Sequence, residues 1–436
     1  MKSFYASVEC ADRGLNPFET GLVVADVTRG KNALCLAVSP KLKAQGVPGR
    51  CRLSEIPKNV EYEAVPPRMQ RYIDCAADIY SIYLDHFDPR DIHVYSVDES
   101  FIDATQYLPA CGMTPRSLAK ALIDEIAEKL RIPSTAGIGT NLYLAKIALD
   151  ITAKHSKDHM GYLDEELYRE TLWDHAPITD FWQIAGGTAR RLARYGITTM
   201  REIAHADSEL LYKVFGKDAE LLIDHAWGRE SCLISDIKGY KAKTHSVSSS
   251  QILPSDYDFS RARLVMQEML LNGCHELMRR KVIARKVGLY IGYSHDAIPS
   301  SHGSVRLMSA TNLNSLVSGP ALGLFDRLAS REVPIRRLGV SFADVCDECG
   351  EGYDLFTDIE AVEREKARER AVLELADRYG KNAVLRGMNF LDGATQRERN
   401  EMIGGHRAGY DDEAGAGQAV HAVRRDEGAS GRAARP

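Results

Sequence analysis

Between residues 68 and 87 apolar side chains return every three or four positions. Tyr72, Ala76, Ile79, Tyr83 and Phe87 share one face, a spacing that predicts a long amphipathic helix. Ahead of it, LVVADV (22–27) and ALCLAVS (33–39) are short apolar runs that predict strands, with a short helix from Pro40 stopped at Gly46. DIHVYSVDESFIDA (91–104) predicts a strand pair. A helix over 114–132, a strand in STAGIGT (134–140) and a helix over 141–155 follow. This mixed order, without regular βαβα alternation, predicts an α+β domain. Residues 164–230 predict short helices. Strands over 243–253, 285–294, 303–312 and 335–343, interrupted by helical stretches 259–283 and 314–330, give β-α-β-β-α-β, a ferredoxin-like split. Residues 358–380 predict a charged helix. Residues 406–436, rich in Gly, Ala, Arg and acids with hardly any apolar content, predict a disordered tail.

Length and composition narrow the class. The chain has 436 residues, 44% of them hydrophobic and 27% charged, the profile of a soluble protein of about two to four domains. No run reaches the roughly 18 apolar residues of a spanning helix. The start, MKSFYASVEC, lacks the apolar core of a signal peptide, so a cytoplasmic location is expected. Nine cysteines without regular spacing read as reduced thiols. Cys346 and Cys349 form one CxxC with no second ligand pair evident, which makes zinc a weak reading. The net charge of −5 hides an asymmetry: residues 236–345 carry 15 Lys and Arg against 9 Asp and Glu, and residues 346–436 carry 14 against 19. The basic block suggests a local polyanion-binding face, or only the fluctuation any long chain shows.

Two stretches carry candidate chemistry. In YSVDESFID (95–103), Asp98 and Glu99 are adjacent in strand-like sequence, where neighbours point to opposite faces. Paired carboxylates at a strand tip hold divalent metals that clamp a phosphoryl group, and two metals call for a third acid from another element. The plainer alternative is an acidic dipeptide in a loop, but an unpaired acid buried in such sequence is costly. FWQIAGGTARRLARYGI (181–197) has the rhythm of a helix-hairpin-helix. Its turn, Ala185-Gly186-Gly187-Thr188, would aim backbone N–H groups at a phosphate, with Arg190, Arg191 and Arg194 close behind. A plain helical turn with a basic face is the alternative.

KSFYASVE, YSVDESFID, GIGTNLYLAKIA (137–148) and the hairpin follow one another in the order and spacing of the Y-family DNA polymerases, the UmuC-like translesion enzymes. YDLF (353–356), KNAVLRGMNF and ATQRERNEMIGGH resemble a bacterial UmuC-type subgroup, so the resemblance spans residues 1 to about 406. It implies a right-hand α+β polymerase with a ferredoxin-like palm (1–16 and 68–163) and fingers at 17–67. A thumb with the hairpin (164–235), a β-α-β-β-α-β little finger (241–345) and a C-terminal extension (346–405) complete it. The implied reaction is template-directed nucleotidyl transfer on primer–template DNA. The primer 3′-hydroxyl attacks the α-phosphate of a dNTP with two Mg²⁺ ions, as part of lesion bypass in DNA repair and the SOS response.

Residue roles follow from the same resemblance. Asp98 and Glu99 are the catalytic acids and, with the Met1 carbonyl, metal ligands. The family's first metal-binding Asp lies immediately before the residue aligned with Met1, so two of three carboxylates are present. A start upstream, and weak or absent activity of the chain as it stands, are expected. Tyr5 matches the bulky steric gate against ribonucleotides, and Phe4 and Tyr5 present N–H groups to the triphosphate. Pro40 and Lys43 stand where many relatives place Tyr and Arg, and Lys154 is a second phosphate contact, although DITAK carries one residue more than the family pattern. Gly186, Gly187, Thr188 and Arg190, then Lys243, Arg285, Lys286, Arg336 and Arg337, would grip duplex phosphates without reading sequence. GYDLF (352–356) resembles the sliding-clamp peptide. It keeps Asp354, Leu355 and Phe356 but has Gly352 and Tyr353 in place of Gln-Leu, so weak clamp docking is expected. A catalytically silent DNA- and clamp-binding member is the main alternative. A nucleotidyl cyclase would need neither hairpin nor basic second domain. A helix-hairpin-helix glycosylase would need an Asp or Lys just after the hairpin, and none is convincing.

Overall fold

The computed structural model describes residues 1–242, 245–350, 352 and 358–409. It divides into two compact units, one built on residues 1–240 and the other on residues 241–408.

The first unit opens with α1 (Phe4–Asp12). A three-stranded sheet follows, made of β1 (Leu22–Ala25), β2 (Cys35–Val38) and β3 (Glu63–Val65) in the order β2-β1-β3. β1 runs antiparallel to β2 and parallel to β3. Between β2 and β3, α2 (Pro40–Ala44) starts on a proline, whose missing N–H costs nothing in a first turn. Val23, Val38, Leu42 and Val47 close this small core. α3 (Met69–His86) buries Tyr72, Cys75, Ile79 and Ile82. The expected stripe is thus rotated slightly, with Ala76 and Tyr83 at its half-buried margin.

β4 (Ile92–Val94) and β5 (Ser100–Ile102) form an antiparallel hairpin with Ile92 opposite Ile102. α4 (Tyr107–Cys111) and α5 (Pro115–Leu130) come next, α5 capped by Thr114 through the Ser117 N–H. β6 (Ala136–Gly139) pairs in parallel with β7 (Met160–Leu163), a strand too short to leave a readable pattern. The helix expected over 141–155 is broken into α6 (Leu142–Ile147), a π-helical turn at Ala148–Thr152 and α7 (Ala153–His155). A π turn takes in one residue more than an α turn. It therefore absorbs the extra residue of DITAK. Six helices complete the unit: α8 (Glu165–Leu172), α9 (Gly186–Ala193), α10 (Met200–His205), α11 (Ser208–Phe215), α12 (Asp218–Ala226) and α13 (Ile234–Gly239). Tyr143 and Leu144 of α6 share one core with Tyr168, Phe181, Leu192 and Ile203.

In the second unit the chain runs β8 (Val247–Tyr257), α14 (Phe259–Arg279), β9 (Val282–Tyr293), β10 (Ser301–Thr311), α15 (Asn314–Leu328) and β11 (Ile335–Asp347). The sheet order is β10-β9-β11-β8 with every neighbouring pair antiparallel. Each β-α-β crossover leaves a one-strand gap that the other fills, so two split units interlock. Both helices pack on one face, joining Val265, Leu270, Val287, Ile291, Phe325 and Phe342 in one core. A Cβ on Gly273 of α14 would collide with the Phe342 ring, so the helix lies close on the sheet only because that position is glycine.

α16 (Ile359–Tyr379), α17 (Gln396–Asn400), β12 (Met402–Ile403) and β13 (His406–Arg407) follow. This extension is pinned to α14 by buried acids. Glu268 accepts from Asn389 Nδ2 at 2.8 Å and the Thr395 N–H at 2.8 Å, and Glu369 meets His275 Nε2 at 2.9 Å. The disorder expected from residue 406 does not hold at its start: His406 and Arg407 pair with Ile403 and Met402, because Gly404 and Gly405, both at positive φ, close a tight hairpin. Residues 410–436 of that expected tail lie outside the described residues.

Candidate active site

The acid couplet is not in a strand. Asp98 and Glu99 sit in the bend that joins β4 to β5, where the N–H groups of Tyr95 and Ser96 both donate to the Glu99 carbonyl, at 3.0 and 3.1 Å. The bend releases the couplet from strict alternation, which removes the conflict of two acids on opposite faces. Ser96 Oγ donates to Asp98 Oδ1 at 2.8 Å. Lys146 Nζ donates to Glu99 Oε2 at 2.6 Å and reaches Asp150 at 3.2 Å. Burial alone would lower the Lys146 pKa, but its hydrogen bond to Glu99 and the charge of Asp150 outweigh it, so it is held above its ordinary value. GIGTNLYLAKIA builds this contact. A Cβ on Gly137 or Gly139 would strike the backbone of Ala145, so the two glycines let α6 lie directly on β6 and bring Lys146 to the couplet.

Residues 1–5 close the other side. The Met1 amino group donates to the Asp98 carbonyl at 2.7 Å, and the Lys2 N–H donates to the Pro133 carbonyl at 2.9 Å, so the segment runs between the β4–β5 and β6–β7 ladders. Burial lowers the pKa of that amino group, opposed by Asp98 and Glu99. The Tyr5 ring is half-buried, and burial and then the charge of Asp98 raise the pKa of its hydroxyl. α1 starts just there, after Ser3 at φ 50°, and Ser3 Oγ is buried without a hydrogen-bond partner.

Three lysines lie within electrostatic reach of one another. Burial first, then the charges of Lys154 and Lys2, lower the Lys43 pKa, with Asp98 opposing. Lys2 Nζ is 3.5 Å from His159 Nδ1 and lies over the Phe18 ring, 5.3 Å from its centroid. Among the described residues no ion pair ties these lysines to a carboxylate. Lysines that repel one another and an orphaned hydroxyl at a helix N-terminus form a cradle for a polyanion. The sequence pointed to Lys43 and Lys154. Lys2, Ser3 and Lys146 were missed, although Lys2 and Ser3 lie in KSFYASVE and the i,i+4 pair Lys146–Asp150 was readable.

The donor type suits a hard divalent cation, since Asp98 and Glu99 offer carboxylate oxygens from adjacent positions of one bend. Among the described residues no cluster of three or more His, Cys, Asp or Glu side chains converges, so the couplet supplies two acids.

The residues expected to grip duplex DNA phosphates divide. Gly186 and Gly187 are exposed in the first turn of α9, with Thr188 half-buried and Arg190 exposed behind them. The helix is entered from a single 3₁₀ turn at Ile178–Asp180, not from a second long helix. On the open sheet face of the second unit a trough of about 720 Å³ is floored by Ser249, Gly288, Gly303, Gly339 and Ser341, with Lys286, Tyr290 and His302 at its sides. Arg285 is exposed but does not line it. Arg336 and Arg337 are drawn to Asp256 and Asp296, each at 3.6 Å. Lys243 and the clamp-like Asp354, Leu355 and Phe356 lie outside the described residues. No described helix is long and apolar enough to cross a membrane.

An acid couplet in a hairpin bend, with lysines in its neighbourhood, has the chemistry that metal-assisted phosphoryl or nucleotidyl transfer requires. Residues 1–150 match the impB/mucB/samB family, and residues 244–355 match the impB/mucB/samB family C-terminal domain. The chain is 32% identical to the Putative UV-damage repair protein UvrX of Bacillus subtilis (strain 168), over 94% of this chain and 96% of that one. It is 29% identical to DNA polymerase IV 2 of the same organism, over 93% and 97%. Its fold resembles the Y-family DNA polymerase chimera Dbh-Dpo4(243-245)-Dbh, with a TM-score of 0.62 at 22% identity, covering 79% of this chain and 97% of that one. The chain belongs to the impB/mucB/samB family, the UmuC-like group of the Y family.

Proposed function

We infer that this chain is a DNA-directed DNA polymerase of the translesion class, acting in DNA repair. The observation that carries the reading is the Met1 amino group seated on the Asp98 carbonyl at 2.7 Å, which brings Lys2, Ser3 and the start of α1 to the acid couplet. A dNTP triphosphate would lie in the lysine cradle, its charge taken up by the lysines, by the Phe4 and Tyr5 N–H groups and by Ser3 Oγ. Asp98 and Glu99, with the Met1 carbonyl, would hold divalent metal, two Mg²⁺ ions by family resemblance. Bound there, the ions would lower the cost of charge on the attacking 3′-hydroxyl and the leaving pyrophosphate. Lys146, bonded to Glu99 Oε2, orients that carboxylate before metal arrives. Tyr5 stands where a ribose 2′-hydroxyl would go and excludes it.

The units take the roles the family suggests. The β1–β3 sheet with α2 acts as fingers, and the couplet's surroundings form the palm. α8–α12 form the thumb, and the second unit, with its Ser- and Gly-floored trough, is the little finger against duplex DNA. Small side chains let a backbone approach the sheet closely, and Lys286 and Arg285 supply charge. Residues 352–356 act as a weak sliding-clamp peptide, and the setting is cytoplasmic.

Primer extension with Mg²⁺ tests the reading. It is run on the chain as given and on a form with strand residues ending in Asp placed directly ahead of Met1. Extension by the lengthened form should fall at least about a hundredfold in Asp98→Asn or Glu99→Gln. Equal extension by the amide variants would remove the couplet from catalysis. Primer binding without extension by the lengthened form would favour the silent, DNA-binding alternative.

A further inference from the structure

The Tyr5 ring stacks on Tyr72 of α3 with centroids 4.4 Å apart and planes 15° from parallel. Tyr72 is fully buried, and its hydroxyl donates to Glu9 Oε1 at 2.7 Å. Glu9, on α1, is also fully buried. It is gripped by Arg68 through two parallel bonds, Nε to Oε1 at 3.0 Å and Nη2 to Oε2 at 2.9 Å, and also by Arg13. Arg68 and Arg71 in turn meet Asp12, at 2.6 and 2.8 Å. Tyr72 therefore has little freedom: its ring carries Tyr5, and its hydroxyl is anchored to a carboxylate that is itself clamped.

We propose that Glu9 is a positioning residue for sugar discrimination, acting through the Tyr72 hydroxyl to fix the plane of the Tyr5 ring. This rests on the reading of Tyr5 as the gate. A gate excludes a single hydroxyl group only if its ring cannot retreat by a fraction of an ångström, and an aromatic stack alone slides easily in its own plane. The hydrogen bond to a buried, bidentately held carboxylate removes that sliding, because breaking it would strand a charged acceptor. Burial and the Glu9 charge raise the Tyr72 hydroxyl well above its ordinary pKa, so it remains the donor. A tie that only joined α1 to α3 would need the Arg68 clamp alone. Ending the network on a ring stacked under Tyr5 is what points to the gate.

The test uses the full chain with a dideoxy-terminated primer–template and Mg²⁺, titrated with the matching dNTP or rNTP, and reads the ratio of the two affinities alongside the melting temperature. Tyr72→Phe keeps the ring and its packing but loses the anchor, so the preference for dNTP should fall by about fivefold or more. Glu9→Gln keeps an oxygen acceptor and should fall in between. Tyr5→Ala should abolish the preference. If Tyr5→Ala does so while both other variants discriminate like the parent chain and only melt earlier, the network is structural and the proposal fails. If Tyr5→Ala discriminates like the parent, or the parent does not discriminate, the gate reading itself fails and takes this proposal with it.

Discussion

Lys146 is the cation on which the couplet depends, and its burial makes it sensitive. It is 7% exposed and sits between Glu99 and Asp150. Replacing it with methionine keeps the length but leaves two acids facing each other without compensation. Lys146→Met should cost about 1–3 kcal/mol in urea unfolding. The same change removes a positive charge from the metal position, so Mn²⁺ affinity, read by titration calorimetry, should rise about threefold or more. A loss of Mn²⁺ affinity at preserved stability would mean that Lys146 orients Glu99 more than it competes with the ion. The sequence made the couplet visible through its neighbours, but nothing local in YSVDESFID says which cation answers Glu99. That partner lies 47 positions away and is fixed by how α6 rests on β6.

Two elements work by close approach or by buried charge. α6 touches β6 because Gly137 and Gly139 have no Cβ, and a methyl group at either would press on the Ala145 backbone, which has no alternative position. Gly139→Ala should therefore cost about 1–3 kcal/mol and shift Lys146 off Glu99, seen as lower urea midpoint and weaker primer extension together. α16 is held on α14 by Glu369. Burial would raise this carboxyl, but hydrogen bonds from His275, Arg386 and Arg368 outweigh it and bring it down to about 2 from an ordinary 4.5. A depressed carboxyl contributes stability that is full above its unfolded value and lost as pH falls through the folded one. The second unit should thus lose on the order of 2 kcal/mol between about pH 4.5 and pH 2. Glu369→Gln should flatten that acid limb in pH-dependent melting while lowering stability at neutral pH. The periodicity of α16 was readable, whereas its docking acids were not, since Glu369 looks like any other acid in a charged helix.

Across the molecule, charge and contact are not the same thing. The basic excess of residues 236–345 suggested several phosphate contacts, yet Arg336 and Arg337 are engaged by Asp256 and Asp296 while Lys286 lines the trough. Lys286→Ala should lower the slope of log K against log salt for duplex binding by about 0.9, the value for one phosphate contact. Arg337→Ala should lower it less, because Arg337 must leave Asp296 to reach a phosphate. Fluorescence titration of a labelled duplex at several salt concentrations reads both. Equal slopes for the two variants would show that the ion pairs open freely on DNA.

The sequence by itself determined the long helices and most strands, though not β3, β7 or β13, together with the β-α-β-β-α-β second unit, the acid couplet and two of the cradle's lysines. These are carried by periodicity, by glycine and proline punctuation and by short motifs, which act over a few residues. The tertiary structure alone decided that the couplet sits in a bend, that a π turn takes up the added residue ahead of Lys154, that Lys2 and Ser3 join the cradle, and that Glu9 underpins Tyr5. Each of those depends on pairs of residues distant in the chain brought within a few ångströms, and side-chain identity along a sequence does not encode which buried charge will meet which until the backbone has closed around both.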